Sequence, residues 1–241
     1  TTAAIGSDTN LTATSLDLNA ISDDDNYADT VAGSGGLFAG VGASADTSST
    51  ATTTAEIKDG NTGVITLTSG AGTFNVGADH TATINGKIQA DTGGAISGAG
   101  AESTHSVTAD TTASIGDKVS LTANDIQANA TSRFRKPDID KNINGGSGSA
   151  LAGGAKIETL TTIDFDTIVD VGDNAKVKLG GDATNPGDFS FTALNDLEGE
   201  DTVNFWAFGV LGSGTEANSR IKTTKDVAKV EIGDKSSGWR M

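Results

Sequence analysis

Apolar and polar residues alternate with a period of two along much of this chain. Between Leu160 and Val171 the odd positions hold Ile163, Phe165, Val169 and Val171, while Asp164, Asp166 and Asp170 stand between them. Such alternation puts the two sets of side chains on opposite faces of extended backbone, so the segment is predicted to be a strand with a dry face and a carboxylate-bearing wet face. Thr-rich stretches at 50–54 and 108–112 fit the same reading, because β-branched side chains are stiff and suit a pleated surface. Asp59-Gly60-Asn61 and Asn85-Gly86 read as turns that require positive φ. No long stretch carries an apolar period of 3.6, and the class predicted is all-β.

The alternation is organised into a repeat. An apolar-Gly-acid anchor recurs as Ile5-Gly6-Ser7, Ile115-Gly116-Asp117, Val171-Gly172-Asp173 and Ile232-Gly233-Asp234, with a looser copy at Ile57-Lys58-Asp59-Gly60. The apolar markers are 52, 58, 56 and 61 residues apart. Before each anchor comes a small-residue stretch and then a Ser/Thr-rich alternating one: 33–57, 92–115, 147–171 and, more divergent, 205–232. After the anchor, AAIGSDTNLTATSLDLNA (3–20) aligns without gaps to ASIGDKVSLTANDIQANA (113–130). Length variation falls between these halves, in segments such as 22–30 and 133–146. The expectation is a parallel β-helix or β-solenoid of about four repeats in one continuous array over 1–241, with boundaries near 5, 57, 115, 171 and 232. Each repeat is longer than an ordinary solenoid turn and is expected to make roughly two or three coils, stacked about 4.8 Å apart. The anchors Ile5, Ile57, Ile115, Val171 and Ile232 are then expected to stack on one inner face. Stretches such as LFAGVGA (37–43) and ALAGGA (150–155) are expected to let coils approach closely and to line a tight corner or a flat face. A flexible Gly/Ser linker would not need the Leu37, Phe38, Val41, Leu151 and Val210 found among them.

Composition narrows the picture. Aromatic residues make up 5% of the 241 and Gly contributes 32, so no thick core of large side chains can form; with 35% hydrophobic residues the chain is nonetheless not compositionally disordered. A thin repetitive β core satisfies both facts. The net charge of −16 argues against nucleic acid or an anionic membrane surface as partner. Without cysteine there is no disulfide or thiolate metal site. No apolar run reaches the roughly 18 residues of a membrane-spanning helix. The sequence begins at Thr1 without Met or signal peptide and reads as a processed or partial segment of a longer protein.

The succession of small-residue stretch, Thr-rich strand, Ile-Gly-Asp anchor and Leu-Thr-Ala strand resembles the repeats of filamentous-haemagglutinin-type adhesins, particularly leukotoxin-like filamentous adhesins. The resemblance covers nearly the whole chain as repeat units. It implies a right-handed parallel β-helix, export to the bacterial cell surface, and adhesion or matrix formation. The N-terminal secretion module of those proteins has no counterpart in this sequence.

Candidate chemistry is sparse. Asp138, Asp140, Asn142, Asn144 and Gly145 contain the D-x-N-x-N-G opening of a calcium loop, although position twelve is Leu151 instead of a bidentate Glu. Calcium at Asp138, Asp140, Asn142 and Asn144 is the one cofactor expectation. Asp23, Asp24, Asp25 and Asp29 read as a solvated charge run. His80 and His105 lie in no recognised motif and are expected at the surface. Asp138 and Asp140 with Arg133 and Arg135 are the nearest approach to the carboxylate clusters of β-helical polysaccharide lyases and hydrolases, and the chain is not expected to be an enzyme. Arg133 to Lys136 is the only basic run, expected to pair with neighbouring acids. Phe205, Trp206 and Phe208 are expected to stack inside the solenoid. The expected function is that of an extracellular adhesin-like stalk or filament, with a self-assembling fibre, sheath or surface-layer subunit as the alternative and a β-helical polysaccharide lyase or hydrolase as the second alternative. Its expected partners are neighbouring repeats, copies of itself end to end, and host or cell-surface glycans or proteins.

Overall fold

The structure, a computed structural model, describes residues 1–60, 64–67, 72–137, 143–180, 184 and 186–234. Among them there is no helix. The strands in chain order are β1 (Thr2–Ile5), β2 (Leu11–Ala13), β3 (Leu16–Ile57), β4 (Val64–Leu67), β5 (Thr73–Ile115), β6 (Ser120–Ala123), β7 (Asp125–Lys136), β8 (Ile143–Val171), β9 (Lys176–Leu179), β10 (Phe189–Gly199), β11 (Val203–Phe208) and β12 (Gly212–Ile232). All pairings are parallel. An eight-stranded sheet runs β1-β3-β5-β7-β10, with β8 joining β5 to β11 and β12, and a four-stranded sheet runs β2-β4-β6-β9.

The ladder answers the repeat directly. Ile5 stands opposite Ile57, Ile57 opposite Ile115, Ile115 opposite Val171 and Val171 opposite Ile232. The anchors form one column, and its three inner members, Ile57, Ile115 and Val171, are buried. The expectation of two or three coils per repeat is corrected by the same register. Each residue pairs with its equivalent in the next repeat, so one repeat contributes one rung of the sheet. A rung can be so long because it doubles back: Thr30 Oγ1 donates to the Ser44 carbonyl at 2.9 Å and Ser49 Oγ to Asp24 Oδ2 at 2.9 Å, across the bend at 33–38. Gly36 in that bend has φ 155°, a conformation L side chains rarely adopt. The Asn85-Gly86 pair, expected at a turn, lies inside β5 with Asn85 buried. Residues 22–30 likewise pair one for one with 80–88.

Facing arms build a banded core. Phe74, Val76 and Ala78 meet Ala113 and Ile115 in a cluster that also takes in Leu121, Ile126 and Val171. Farther along the arms, Ala82, Ile84, Phe134, Val107, Ala109, Ile163 and Phe165 form a second cluster. Ile88, Ala90, Ile143, Ala99, Ala101 and Ile157 form a third next to the bend. Small side chains keep the arms close, and full burial of a Phe or Ile stabilises each band by roughly 1.5–3 kcal/mol. Polar side chains occupy the two gaps between bands.

The Ile-Gly-Asp anchor has a definite physical use. Asp117 N–H donates to Asp59 Oδ1 at 2.9 Å, Asp173 N–H to Asp117 Oδ1 at 2.7 Å and Asp234 N–H to Asp173 Oδ1 at 2.8 Å, a column of carboxylates each capping the turn of the next rung. The glycine clears space for that carboxylate. A Cβ on Gly116 would lie 2.6 Å from Asp59 N and 2.7 Å from Asp59 Oδ1. Lys58 stands in the glycine position only where the preceding rung supplies Ser7 in place of Asp. Lys118 and Asn174, which follow the aspartates, have φ of 58°. Gly116→Ala is therefore expected to lower unfolding free energy by about 1–3 kcal/mol, the range for forcing an extra methyl into a filled site. Denaturant melts check this; a shift no larger than that of Gly42→Ala, where an added Cβ meets nothing within 4 Å, would refute it.

Candidate interaction surface

The bend carries an apolar ridge. Phe38 is in ladder register with Ile96, Ile96 with Ala152 and Ala152 with Gly212, which aligns the exposed Leu37, Phe38, Ile96, Leu151, Val210 and Leu211 along one corner of the stack. Leu37, Phe38, Val210 and Leu211 are each at least 70% exposed. Beside the ridge the outer face is nearly bare backbone. Gly40, Gly98, Gly154 and Gly214 fall in one column, and Gly42 and Gly100 fall in the next. The expectation that these glycines let coils approach is corrected at Gly42, Gly98 and Gly214, where an added Cβ would meet open space. What they create is a flat, side-chain-poor strip, flanked by Glu102, Lys156, Glu158 and Glu216. Phe205, Trp206 and Phe208, expected inside, are 39%, 53% and 62% exposed. Trp206 lies across Gly146 of the preceding rung, where a Cβ would collide with its indole.

The two poles of the stack differ. Residues 16–53 of β3 have ladder partners on one side only, and so does β12 at the other pole. The first 57 residues carry eight carboxylates and no Lys or Arg, whereas β12 carries Arg220, Lys222, Lys225 and Lys229 against Glu216, Asp226 and Glu231.

A few titratable groups lie inside. His80 and His105 are both fully buried, which corrects their expected surface placement; inward register in β5 puts them there. His80 Nε2 lies 3.9 Å from Asp24 Oδ2, so Asp24 turns inward while Asp23, Asp25 and Asp29 face solvent. His105 is held by Thr47 Oγ1 and Ser103 Oγ, each at 2.7 Å, and Gly86 opposite leaves room for its ring. Burial, reinforced by the nearby Lys136 charge, lowers the His105 pKa to about 4. Burial also lowers that of His80. Lys136 Nζ pairs with Asp201, their side chains 1% and 3% exposed, and donates to Thr161 Oγ1 at 3.1 Å. The basic run is thus split by alternation. Arg133 and Arg135 face outward and pair with Asp79 and with Asp196 and Glu198, while Phe134 and Lys136 face inward.

Of the calcium candidates, Asp138, Asp140 and Asn142 lie outside the described residues. Asn144 and Gly145 belong to β8, opposite Gln89 and Ala90. Asp138 and Asp140, paired in the sequence with Arg133 and Arg135 as a hydrolytic cluster, fall outside the description for the same reason. No group of three or more His, Asp or Glu suited to a metal ion occurs among the described residues.

A pH dependence follows from His105. Its folded-state pKa lies below the usual 6.5, so the unfolded chain binds the extra proton first as pH falls. The stability this neutral histidine contributes is complete above about pH 6.5 and is lost between there and pH 4, a swing on the order of 3 kcal/mol. His105→Gln should flatten that part of the stability curve. An unchanged pH slope in the variant would contradict the assignment.

Comparison with protein-family models, curated proteins and solved structures finds no match.

Proposed function

We propose that this chain is a segment of an extracellular β-solenoid of adhesin type, a stiff stack of coils whose corner holds a target surface. On this reading each rung closes into a coil of a right-handed parallel β-helix, and the array works by shape and stickiness, not by turnover. The observation that carries it is the apolar ridge. Six large apolar side chains aligned along one corner of the stack exceed the scattered exposed hydrophobics of an ordinary surface, and contiguous patches of this kind mark protein or membrane contacts. A protein-coated surface is the target the ridge suits, since the chain's −16 charge disfavours anionic lipid. Retention of the chain on protein-coated beads should drop at least tenfold in Phe38→Asp/Leu211→Asp. Equal retention of the double variant would overturn the adhesive role of the ridge.

A second reading, a self-assembling fibre subunit, is favoured by the charges along one ladder column. Unpaired parallel edges template further strands, and continuing the ladder places Arg220 of one copy in the column of Asp46 of the next. Scattering that reports particles lengthening with protein concentration, and shortening with added salt, supports stacking. A fixed monomer at every concentration contradicts it.

A further inference from the structure

The Lys136 and Asp201 pair is the most deeply buried of the described ion pairs, its side chains 1% and 3% exposed. We propose that Lys136 and Asp201 become joined by an amide bond between Nζ and Cγ, a cross-link formed within the folded chain with loss of one water. The two residues belong to successive rungs: Lys136 ends β7 and is in ladder register with Gly199, and Glu200 N–H donates to the Lys136 carbonyl at 3.0 Å. The ladder therefore holds the two backbones side by side, and the side chains meet in the gap between two apolar bands. Their burial removes water from both ends of the pair.

The surrounding hydroxyls suit the reaction. Thr161 Oγ1 accepts from Nζ at 3.1 Å and aims the nitrogen. Asp201 Oδ2 accepts from Thr159 Oγ1 at 3.2 Å and from Ser219 Oγ at 3.0 Å, which leaves Oδ1 on the side of the amine. Transfer of one proton from the ammonium to Oδ1 converts the pair into amine and carboxylic acid, the uncharged forms that a dry interior favours. The nitrogen lone pair then attacks Cγ. The carbonyl electrons move onto Oδ2, where the two hydroxyl donors stabilise the developing charge. A second proton passes from nitrogen to Oδ1, the Cγ–Oδ1 bond breaks, water departs and the carbonyl re-forms on Oδ2. No oxidant or co-reactant is needed. Fixed geometry is what such a step requires, because a well-held pair reacts at a high effective concentration. Burial also lowers the pKa of Lys136, which favours the amine.

Such a link ties the β7 rung to the β10 rung through a closed loop of chain, across the ladder that already pairs them. Intact-mass spectrometry of the purified folded chain is expected to give the sequence mass less one water, with tandem fragmentation placing the link between residues 136 and 201. Lys136→Arg and Asp201→Ala should each restore the full mass. A wild-type chain at full mass, holding only an ion pair, would overturn the proposal. So would a water deficit that fragmentation maps elsewhere or that persists in both variants. The wild-type measurement decides even if a variant fails to fold.

Discussion

Lys136→Ala is expected to lower the unfolding free energy by about 3–5 kcal/mol, the range for leaving one member of a buried ion pair unpartnered. The loss arises because Asp201, its side chain 3% exposed, keeps its hydrogen bonds from Thr159 and Ser219 but loses the buried Lys136 cation beside it. Arg133→Ala, two residues away on the same strand, is the matching control. Its partner Asp79 is 40% exposed, and such a surface pair contributes about 1 kcal/mol or less. Chemical denaturation of both variants checks the contrast. Equal shifts would mean that Lys136 is not inward.

Phe165→Ala is expected to cost about 3–5 kcal/mol, through lost burial and the cavity it leaves. Phe165 is fully buried in the middle band, in register with Ala109 and Asp226 and packed with Phe134 and Ile163. Its ladder partner on β5, Ala109, is too small to fill the gap. Ile168→Ala, on the same strand but outward, should cost about 1 kcal/mol or less. The ratio between these two substitutions, read from denaturant midpoints, measures the alternation itself. Similar costs at both sites would show that the strand does not alternate between core and solvent.

Much of this architecture is legible in the sequence because it is written in short-range terms. The anchor column follows from the spacing of Ile5, Ile57, Ile115, Val171 and Ile232, and the inward set of β8 follows from the odd positions between 163 and 171. Coil size is not legible in the same way. The glycine stretch at 33–38 bends the rung without dividing it, and only the long-range pairing of equivalent residues distinguishes one wide rung from several narrow ones. Phe205, Trp206 and Phe208 are exposed because rung position, not residue type, decides their environment: they lie on β11, which pairs with β8 on one side only among the described residues.

The interior polar groups were hidden for a different reason. Arg133-Phe134-Arg135-Lys136 looks like a basic patch when read as composition. Read at period two from Ile126 through Ala128, Ala130, Ser132 and Phe134, it places Lys136 on the buried face, so the signal was present. Its partner Asp201 could not be inferred, because the pairing depends on how two successive rungs align after loops of unequal length. His80 and His105 follow the same rule: the alternation of β5 carries them inward, and no motif announces it.

The claim on which the rest depends is that one repeat makes one rung, in strict register. The chain has no native cysteine, so paired cysteines can be introduced without interference. Thr108→Cys/Asp164→Cys joins two outward ladder partners. Adjacent strands lie about 4.8 Å apart, within the Cα separation a disulfide spans. Rapid, near-complete disulfide formation is expected for this pair and for Thr50→Cys/Thr108→Cys, and none for Thr108→Cys with a cysteine at Thr83, about half a repeat away. Cross-linking of the half-repeat pair, with the two ladder pairs left reduced, would contradict the register and the fold built on it.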